Sequence, residues 1–328
     1  MKKTIENTKP PRVSIIIPCK SVGDYAEECV AYCNQLDYPD FEIIVLPDEL
    51  PENVSLSGVT IIPTGPVGPS QKRDLAGSRS TGEIFAFIDD DAYPQRDWLT
   101  HAVLPFSDDK VGAVGGPAIT PPSDALLLQA SGAVYQSLLG GGPHAYRYVP
   151  GSRREVDDYP SCNLLVRKSV FLEAGGFGTE YWPGEDTKLC LAITKHLGKS
   201  IAYEPKALVY HHRRNLFRGH MKQVASYALH RGFFVKRFPE TSRRLSYFMP
   251  SLFVVGLLAG LPFLFVSGLR ELYLAAIGLY LALVIISSAV VSIRHPRLFI
   301  LVIVGTIFTQ LTYGAWFLKG LTSRSLAR

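Results

Sequence analysis

The chain has 328 residues, of which 47% are hydrophobic, and a formal net charge of +5. This composition excludes a disordered chain, a collagen and a small disulfide scaffold. The charge is unevenly distributed, because residues 1–204 carry −9, residues 205–248 carry +9 and residues 249–328 carry +5. The sequence therefore predicts an acidic domain, a basic segment and an apolar C-terminal part.

Short apolar runs alternate with segments of helical periodicity in the first 212 residues. Strands are predicted at Val13–Pro18, Glu42–Leu46, Thr60–Ile62, Ile84–Ile88 and Val111–Val114, and helices at Tyr25–Leu36, Ser70–Ser78 and Trp98–Phe106. This alternation is typical of βαβ units, so we expect an α/β fold with a mainly parallel, Rossmann-like sheet. Ligands of such sheets bind at the carboxyl ends of the strands.

Three carboxylates, Asp89, Asp90 and Asp91, directly follow the apolar run Ile84–Ile88. Like charges at a strand end repel one another unless a cation lies between them, and carboxylate oxygens suit Mg²⁺ or Mn²⁺. A solvated acidic turn is the alternative interpretation. The first strand is followed by Pro-Cys-Lys-Ser-Val-Gly rather than G-x-G-x-x-G, and the sequence has no P-loop motif. Any phosphate binding is therefore expected to be mediated by a metal.

Six segments resemble, in the same order, the motifs of the family 2 inverting glycosyltransferases with a GT-A fold, in their membrane-anchored bacterial form. The resemblance covers roughly Arg12 to His212, and its segments are Val13–Pro18, Phe41–Asp48, Val67–Asp91, Ser161–Phe177, Gly184–Ile193 and Glu204–Arg214. It implies that residues 1–212 form a GT-A domain that takes a sugar from a nucleotide-sugar donor, with a UDP-sugar expected, and uses Mn²⁺ or Mg²⁺.

The resemblance also implies roles for individual residues. Asp91 and Asp89 would ligate the metal, with His211 completing the shell and His212 as the alternative. Asp186 would be the catalytic base, and Glu185 would orient the acceptor or the metal. Acidic residues that only complement a helix dipole are the alternative interpretation of this pair.

Donor and acceptor contacts are implied in the same way. The residues assigned to the donor nucleotide are Pro18, Asp48, Arg73, Asp89 and Asp90, and those assigned to the acceptor are Cys162, Asn163 and Trp182. The sequence departs from the family pattern around the nucleotide, with Pro47 in place of the first Asp, Cys19-Lys20 in place of a pair such as Tyr-Asn, and Asp74 in place of Asn. These departures concern the base and the donor more than the reaction type.

Residues 213–248 interleave apolar and basic side chains. The apolar ones include Leu216, Phe217, Met221, Val224 and Leu229, and the basic ones Arg213, Arg214, Arg218, Lys222 and Arg231. We expect this amphipathic segment to lie at the headgroups of a membrane and to attract anionic lipid or a lipid phosphate. A nucleic-acid partner is not expected, because the segment adjoins apolar stretches long enough to cross a bilayer.

Three stretches contain no Asp, Glu, Lys or Arg, namely Leu245–Leu269, Leu272–Ile293 and Leu298–Leu318. Each reaches the roughly 20 residues that cross a bilayer, so residues 249–328 are predicted to form three transmembrane helices at about 249–269, 272–293 and 298–318. Buried helices of a soluble domain are the alternative. With the N-terminal domain in the cytoplasm, seven Lys and Arg residues lie inside and four outside, which favours that orientation in a bacterial-type inner membrane. Residues 1–9 are polar, so no cleavable signal is expected.

These features together predict transfer of one sugar to a lipid-linked saccharide or a polyprenyl phosphate at the cytoplasmic membrane face, in the synthesis of a surface glycan. A processive polysaccharide synthase is the alternative enzyme, although its Q-x-x-R-W motif has no closer counterpart here than Gln223–Tyr227. A catalytically inactive membrane scaffold is the alternative outside the enzymes. The oligomeric state is left open by the sequence.

Overall fold

The structure is a computed structural model that describes residues 9–50, 56–179 and 181–326. Residues 1–8 and Arg328, which entered the signal and topology predictions, lie outside the described residues. The strands are β1 (Val13–Pro18), β2 (Phe41–Leu46), β3 (Val59–Ile61), β4 (Ile84–Ile88), β5 (Ala92–Pro94), β6 (Val111–Gly115), β7 (Ala118–Ile119), β8 (Arg154–Val156), β9 (Asn163–Arg167), β10 (Ser200–Tyr203) and β11 (Val209–His211). The helices are α1 (Asp24–Cys33), α2 (Pro69–Arg79), α3 (Trp98–Ala102), α4 (Leu126–Gln136), α5 (Leu138–Gly141), α6 (Lys168–Glu173), α7 (Glu185–Leu191), α8 (Arg218–Arg237), α9 (Pro239–Ser242), α10 (Leu245–Ala259), α11 (Leu269–Ser292) and α12 (Phe299–Thr322).

The main sheet has the strand order β3-β2-β1-β4-β9-β6-β10-β8. Strands β3, β2, β1 and β4 pair in parallel, as do β6 and β10, whereas β9 runs antiparallel to both β4 and β6. The predicted α/β fold is confirmed. The antiparallel β9 between two halves of the sheet was not among the strands predicted from hydrophobic pattern.

Strands β1 and β4 are buried along their whole length, which explains why both are apolar without alternation. Their bounds match the predicted ones. Helix α1 ends at Cys33, earlier than predicted, where Asn34 takes the C-cap position and its side chain donates to the Ser57 carbonyl. Helix α3 ends at Ala102 and a 3₁₀ turn containing Pro105 follows, since proline has no N–H with which to continue an α-helix.

A smaller sheet has the order β5-β11-β7. The chain forms two compact units, each defined by residues that contact one another more than they contact the rest. One unit comprises residues 1–118 and 150–210, and the other comprises residues 119–149 and 211–328. Residues 119–149 thus group with the C-terminal part of the chain, a division that differs from the one based on composition. The composition boundaries at 212 and 248 stay a prediction.

Among the described residues of the second unit, three helical segments are long and apolar enough to cross a membrane. They are Leu245–Phe265, Leu269–Ser292 and Pro296–Thr322, with mean hydropathies of 2.1, 2.5 and 1.8. The predicted long apolar helices are therefore present as candidate membrane spans. The first of them begins at Leu245, earlier than residue 249.

Glycines bring other helices into close contact with α12. A Cβ atom on Gly320 would lie 2.0 Å from the Leu229 carbonyl oxygen of α8, and one on Gly314 would lie 2.3 Å from the Pro250 carbonyl oxygen of α10. In α8, a Cβ on Gly232 would lie 2.2 Å from the Phe317 carbonyl oxygen. Helix α12 therefore packs closely against α8 and α10, because the helix backbones can approach one another where a glycine has no side chain.

Candidate active site

The acidic triplet lies where β4 ends and β5 begins. The Ala92 N–H donates to the Asp89 carbonyl at 3.1 Å and closes the turn between these strands. Asp91 is buried, whereas the Asp89 side chain is 31% exposed. The carboxyl end of a central strand thus presents one accessible and one buried carboxylate two residues apart.

Asp89, Asp91 and His211 form a cluster in which one potential ligand atom from each lies within 4.8 Å of the others. Two carboxylates and one imidazole suit a divalent cation such as Mg²⁺ or Mn²⁺, so the cluster could hold one. Arg213 Nη1 lies 2.9 Å from Nδ1 of His211, so a cation bound through Nδ1 would replace this hydrogen bond. Asp90 does not belong to the cluster.

His212, the alternative metal ligand, has a different partner. Its Nδ1 lies 2.7 Å from a carboxylate oxygen of Asp124. The geometry therefore favours His211 over its neighbour.

Arg73 joins the acidic turn to helix α7. Its Nη2 donates to Asp89 at 2.7 Å and its Nη1 donates to Glu185 at 3.1 Å, and its side chain is only 3% exposed. Burial lowers the pKa of Arg73, but the carboxylates of Asp89, Glu185 and Asp186 raise it, and the net direction is upward. This guanidinium therefore stays charged and holds two carboxylates at fixed positions.

Glu185 and Asp186 lie in the first turn of α7 but have different surroundings. Glu185 is buried, and its two oxygens accept from Arg73 and from the Gly184 N–H. Burial raises the pKa of its carboxyl although Arg73 acts in the opposite direction. Asp186 is less buried and accepts from the Thr187 N–H at 2.8 Å. Helix α7 ends at Leu191 and continues as a π-helical turn over Ala192–His196.

Lys72, which the sequence analysis did not select, ties the ends of β1 and β2 together. Its Nζ donates to the carbonyls of Cys19 and Leu46 at 2.7 and 3.1 Å, and to the Asp48 carboxylate at 2.5 Å. Pro18, the last residue of β1, pairs with Leu46 in the register of the sheet. Pro18 and Asp48, both assigned to the donor, thus lie at one edge of the sheet.

The residues assigned to the acceptor differ in accessibility. Asn163 is fully buried, accepts from Trp98 Nε1 and donates to the carbonyls of Pro117 and Ala207, and Cys162 is buried in the core. An acceptor could reach Asn163 only by displacing these partners, which argues against an acceptor contact at this residue. Trp182 is 66% exposed and is the accessible member of the set.

Asp74, one of the departures from the family pattern, has a structural role. Its carboxylate accepts the N–H groups of Phe177 and Gly178 at 2.8 and 3.0 Å. Gly176 in the same loop has a φ of +65°, and a Cβ there would lie 2.4 Å from Asp74 Oδ1. Asp74 therefore fixes the loop that precedes the Glu185–Asp186 segment.

Comparison with known proteins identifies the family of the N-terminal domain. Residues 14–172 match the sequence model described as "Glycosyl transferase family 2". The chain carries a family 2 glycosyl transferase domain. The matched segment contains Asp48, Arg73 and the acidic triplet, and it ends before Asp186 and His211.

Two curated relatives are similar to about half of the chain. The pre-mycofactocin glycosyltransferase of Mycobacterium tuberculosis (strain CDC 1551 / Oshkosh) is 29% identical over 163 residues, which are 49% of this chain and 33% of that protein. The glucosyl-dolichyl phosphate glucuronosyltransferase of Haloferax volcanii is 24% identical over 151 residues, 44% of this chain and 47% of that protein. The chain thus spans a third to about half of the length of these relatives.

Among solved structures, the mannosyltransferase PcManGT from Pyrobaculum calidifontis, in complex with GDP-Man and Mn²⁺, superposes with a TM-score of 0.56 at 20% identity. The match covers 97% of this chain and 89% of that one. At this identity the likeness establishes the fold, and the GT-A fold that the resemblance implied is confirmed.

Proposed function

We propose that the chain is a metal-dependent, inverting glycosyltransferase that moves one sugar from a nucleotide-sugar donor to a lipid-linked saccharide or a polyprenyl phosphate. The observation that carries the proposal is the cluster of Asp89, Asp91 and His211 at the carboxyl end of β4 in a family 2 domain. Arg73 connects this cluster directly to the segment that contains Asp186.

The donor side follows from the charges at the sheet edge. A divalent cation held by Asp89, Asp91 and His211 would offset the negative charge that grows on the diphosphate as the sugar leaves. Lys72 holds Asp48 against the ends of β1 and β2, which positions that carboxylate toward a nucleoside. Arg73 keeps Asp89 in place and stays charged while it does so.

The acceptor side needs one base. In an inverting transfer the acceptor oxygen attacks the anomeric carbon, its proton passes to a carboxylate, and the bond from that carbon to the diphosphate breaks. Asp186 fits this role better than Glu185, because Asp186 is partly exposed whereas Glu185 is buried in an ion pair with Arg73. Glu185 then acts as a positioning residue for Arg73.

A lipid-linked acceptor is supported by the apolar helices and by one relative. The second unit contains three candidate membrane spans, and the Haloferax relative is named for action on a glucosyl-dolichyl phosphate. The basic residues of α8 would attract a lipid phosphate. We place the family 2 domain on the cytoplasmic side of a bacterial-type inner membrane, because Lys and Arg flanking the spans favour that side.

The test is a panel of UDP-, GDP- and dTDP-sugars given to the purified full chain with a polyprenyl phosphate and Mn²⁺ or Mg²⁺. We expect nucleotide release with at least one donor, abolished by EDTA, and a lipid product extended by one sugar. Long polymer would instead establish a processive synthase. Failure of all donors both to bind and to react would favour the inactive scaffold.

A further inference from the structure

Helices α8 and α12 lie side by side and run in the same direction. His220 Nε2 lies 2.9 Å from Thr309 Oγ1, a Cβ on Gly320 would lie 2.0 Å from the Leu229 carbonyl oxygen, and Lys236 Nζ donates to the Ser323 carbonyl at 2.6 Å. Residue numbers thus increase together in both helices. The contacts extend over most of α8, whose 20 residues measure about 30 Å.

This arrangement conflicts with a membrane crossing by α12. Successive crossings alternate in direction, so if α10, α11 and α12 all crossed, a crossing by α8 would be antiparallel to α12. The two helices are instead parallel, so they cannot both cross. Most of α8 packs against α12, so a crossing by α12 would also place α8 inside the bilayer. This is unfavourable because α8 carries the exposed cations Arg218, Lys222, Lys236 and Arg237.

The contacts between α10 and α12 also conflict with a membrane crossing by α12. Three crossings would make these two helices parallel. Ser251 Oγ donates to the Gly314 carbonyl at 3.0 Å, and the Phe248 ring lies 5.0 Å from the Phe317 ring. Residue numbers fall along α10 as they rise along α12, which is opposite to the required order.

The fraction of buried residues also distinguishes α12 from α10 and α11. Within the candidate spans of α10 and α11, 11% and 17% of the residues are buried, against 33% for the span of α12. Large apolar side chains such as Leu258, Phe265 and Leu272 are more than 60% exposed, and these lie toward the connection between α10 and α11. The apolar surface that needs lipid is therefore concentrated on the α10–α11 hairpin.

The distribution of Lys and Arg is also more uneven with two crossings. Three crossings put seven Lys and Arg residues on the side of the family 2 domain and four on the other. Two crossings move Lys319, Arg324 and Arg328 to the domain side, which gives ten against one, with Arg270 in the hairpin connection as the one. Strong asymmetry of this kind is what sets the orientation of membrane proteins.

We propose that only α10 and α11 cross the membrane, as a hairpin, and that α12 lies with α8 along the membrane surface on the side of the family 2 domain. The partner of this helix pair is the headgroup layer of the bilayer, which the exposed cations of α8 contact. The residues that follow α12 then lie on the same side as the domain. This inference does not depend on the proposed transfer reaction.

The test uses the full chain in its native membrane and three single cysteine substitutions. Ser78→Cys marks the family 2 domain, Ser267→Cys marks the hairpin connection and Ser325→Cys marks the residues after α12, all at exposed positions. The native cysteines Cys19, Cys29, Cys33, Cys162 and Cys190 are buried, and the unsubstituted chain measures their background. Labelling by a membrane-impermeant maleimide is compared before permeabilisation, after permeabilisation and after solubilisation in SDS.

We expect Ser325→Cys to be labelled under the same condition as Ser78→Cys, and Ser267→Cys under the opposite one. Labelling of Ser325→Cys together with Ser267→Cys would overturn the proposal, because α12 would then cross. Labelling of Ser325→Cys in SDS only would overturn it as well. Labelling of Ser78→Cys and Ser267→Cys under the same condition would also overturn the proposal, because the hairpin connection would then lie on the side of the family 2 domain.

A pair of lysine substitutions at exposed alanines provides a second measurement. Ala282→Lys places a charge near the middle of α11, and Ala315→Lys places one on α12. We expect Ala282→Lys to reduce the amount of membrane-inserted chain several-fold and Ala315→Lys to leave it unchanged. Equal losses for the two variants would contradict the surface position of α12.

Discussion

Arg73 has the most consequential contacts of any single residue at the site. It is buried and bridges Asp89 and Glu185, so its removal leaves two carboxylates without their common counter-charge. We expect Arg73→Met to lower the free energy of unfolding by about 3 kcal/mol, the usual cost of removing one member of a buried ion pair. Arg79→Met is the matched control, because Arg79 is exposed on the same helix. Equal shifts in the urea midpoint for the two variants would contradict the role of Arg73.

The metal site predicts a difference between two adjacent histidines. His211 belongs to the cluster with Asp89 and Asp91, whereas His212 contacts Asp124. We expect His211→Ala to weaken Mn²⁺ binding by at least about tenfold and His212→Ala to leave it nearly unchanged. Titration of free Mn²⁺ by electron paramagnetic resonance measures both. The assignment fails if His212→Ala has the larger effect.

His220 predicts a dependence of stability on pH. Thr309 Oγ1 donates to the Gly305 carbonyl, so it accepts from His220 Nε2, and Ser131 Oγ donates to Nδ1 of a neutral ring. Burial, with a smaller contribution from Arg213, lowers the pKa of His220 from 6.5 to about 4. The neutral ring stabilises the fold above pH 6.5, and this stability is lost as the pH falls toward 4, by roughly 3 kcal/mol in total.

The measurement is the melting temperature in detergent between pH 7.5 and 4.5. We expect the melting temperature of the unchanged chain to fall more steeply with decreasing pH than the melting temperature of His220→Asn, because asparagine does not titrate. Parallel curves would show that His220 is not the group responsible.

Lys72 shows what the sequence could and could not predict at this scale. The stretch Gln-Lys-Arg-Asp looks like an exposed charged helix face, yet Lys72 and Arg73 are both 3% exposed. The sequence did contain one indication of this burial. Lys72 is four residues before Ala76, so the two lie on the same face of the helix, and the structure shows that this face is buried. The acidic triplet was predictable because it follows an uninterrupted apolar strand.

At the scale of helices and strands, local pattern predicted β1 and β4 correctly but missed β9. Strand β9 is apolar like its neighbours, but its antiparallel direction depends on the chain path through residues 119–162. The direction of α8 relative to α12 was likewise not predictable, because amphipathicity gives a helix an apolar face without naming its partner. Composition identified the apolar helices themselves.

The glycines of α12 lead to a prediction about helix packing. A Cβ on Gly320 would lie 2.0 Å from the Leu229 carbonyl oxygen, so Gly320→Ala must separate α8 from α12. We expect a loss of stability of about 1–3 kcal/mol from this overpacking. Gly278→Ala, within α11, meets nothing within 4 Å and should be neutral or stabilising by up to about 1 kcal/mol, since alanine favours helices. Thermal unfolding in detergent would contradict the packing account if both variants behaved alike.

At the scale of the whole molecule, the charge distribution follows the two tasks that we propose for the chain. The acidic part contains the carboxylates of the candidate metal site, and the basic part contains α8, which we place at the membrane surface. The sequence predicted both regions. It could not show that α12 packs along α8, and this contact is the reason to expect two crossings rather than three.

In the proposed reaction, Asp186 takes the acceptor proton at a metal site formed by Asp89, Asp91 and His211. The most direct measurement is the turnover of Asp186→Asn with the donor identified by the panel, together with its affinity for that donor and for Mn²⁺. We expect both affinities to stay near those of the unchanged chain and turnover to fall by roughly 10²–10⁴-fold, whereas the exposed Asp24→Asn should retain full turnover. An Asp186→Asn enzyme that turns over at the rate of the unchanged chain would contradict the role of Asp186 as the base.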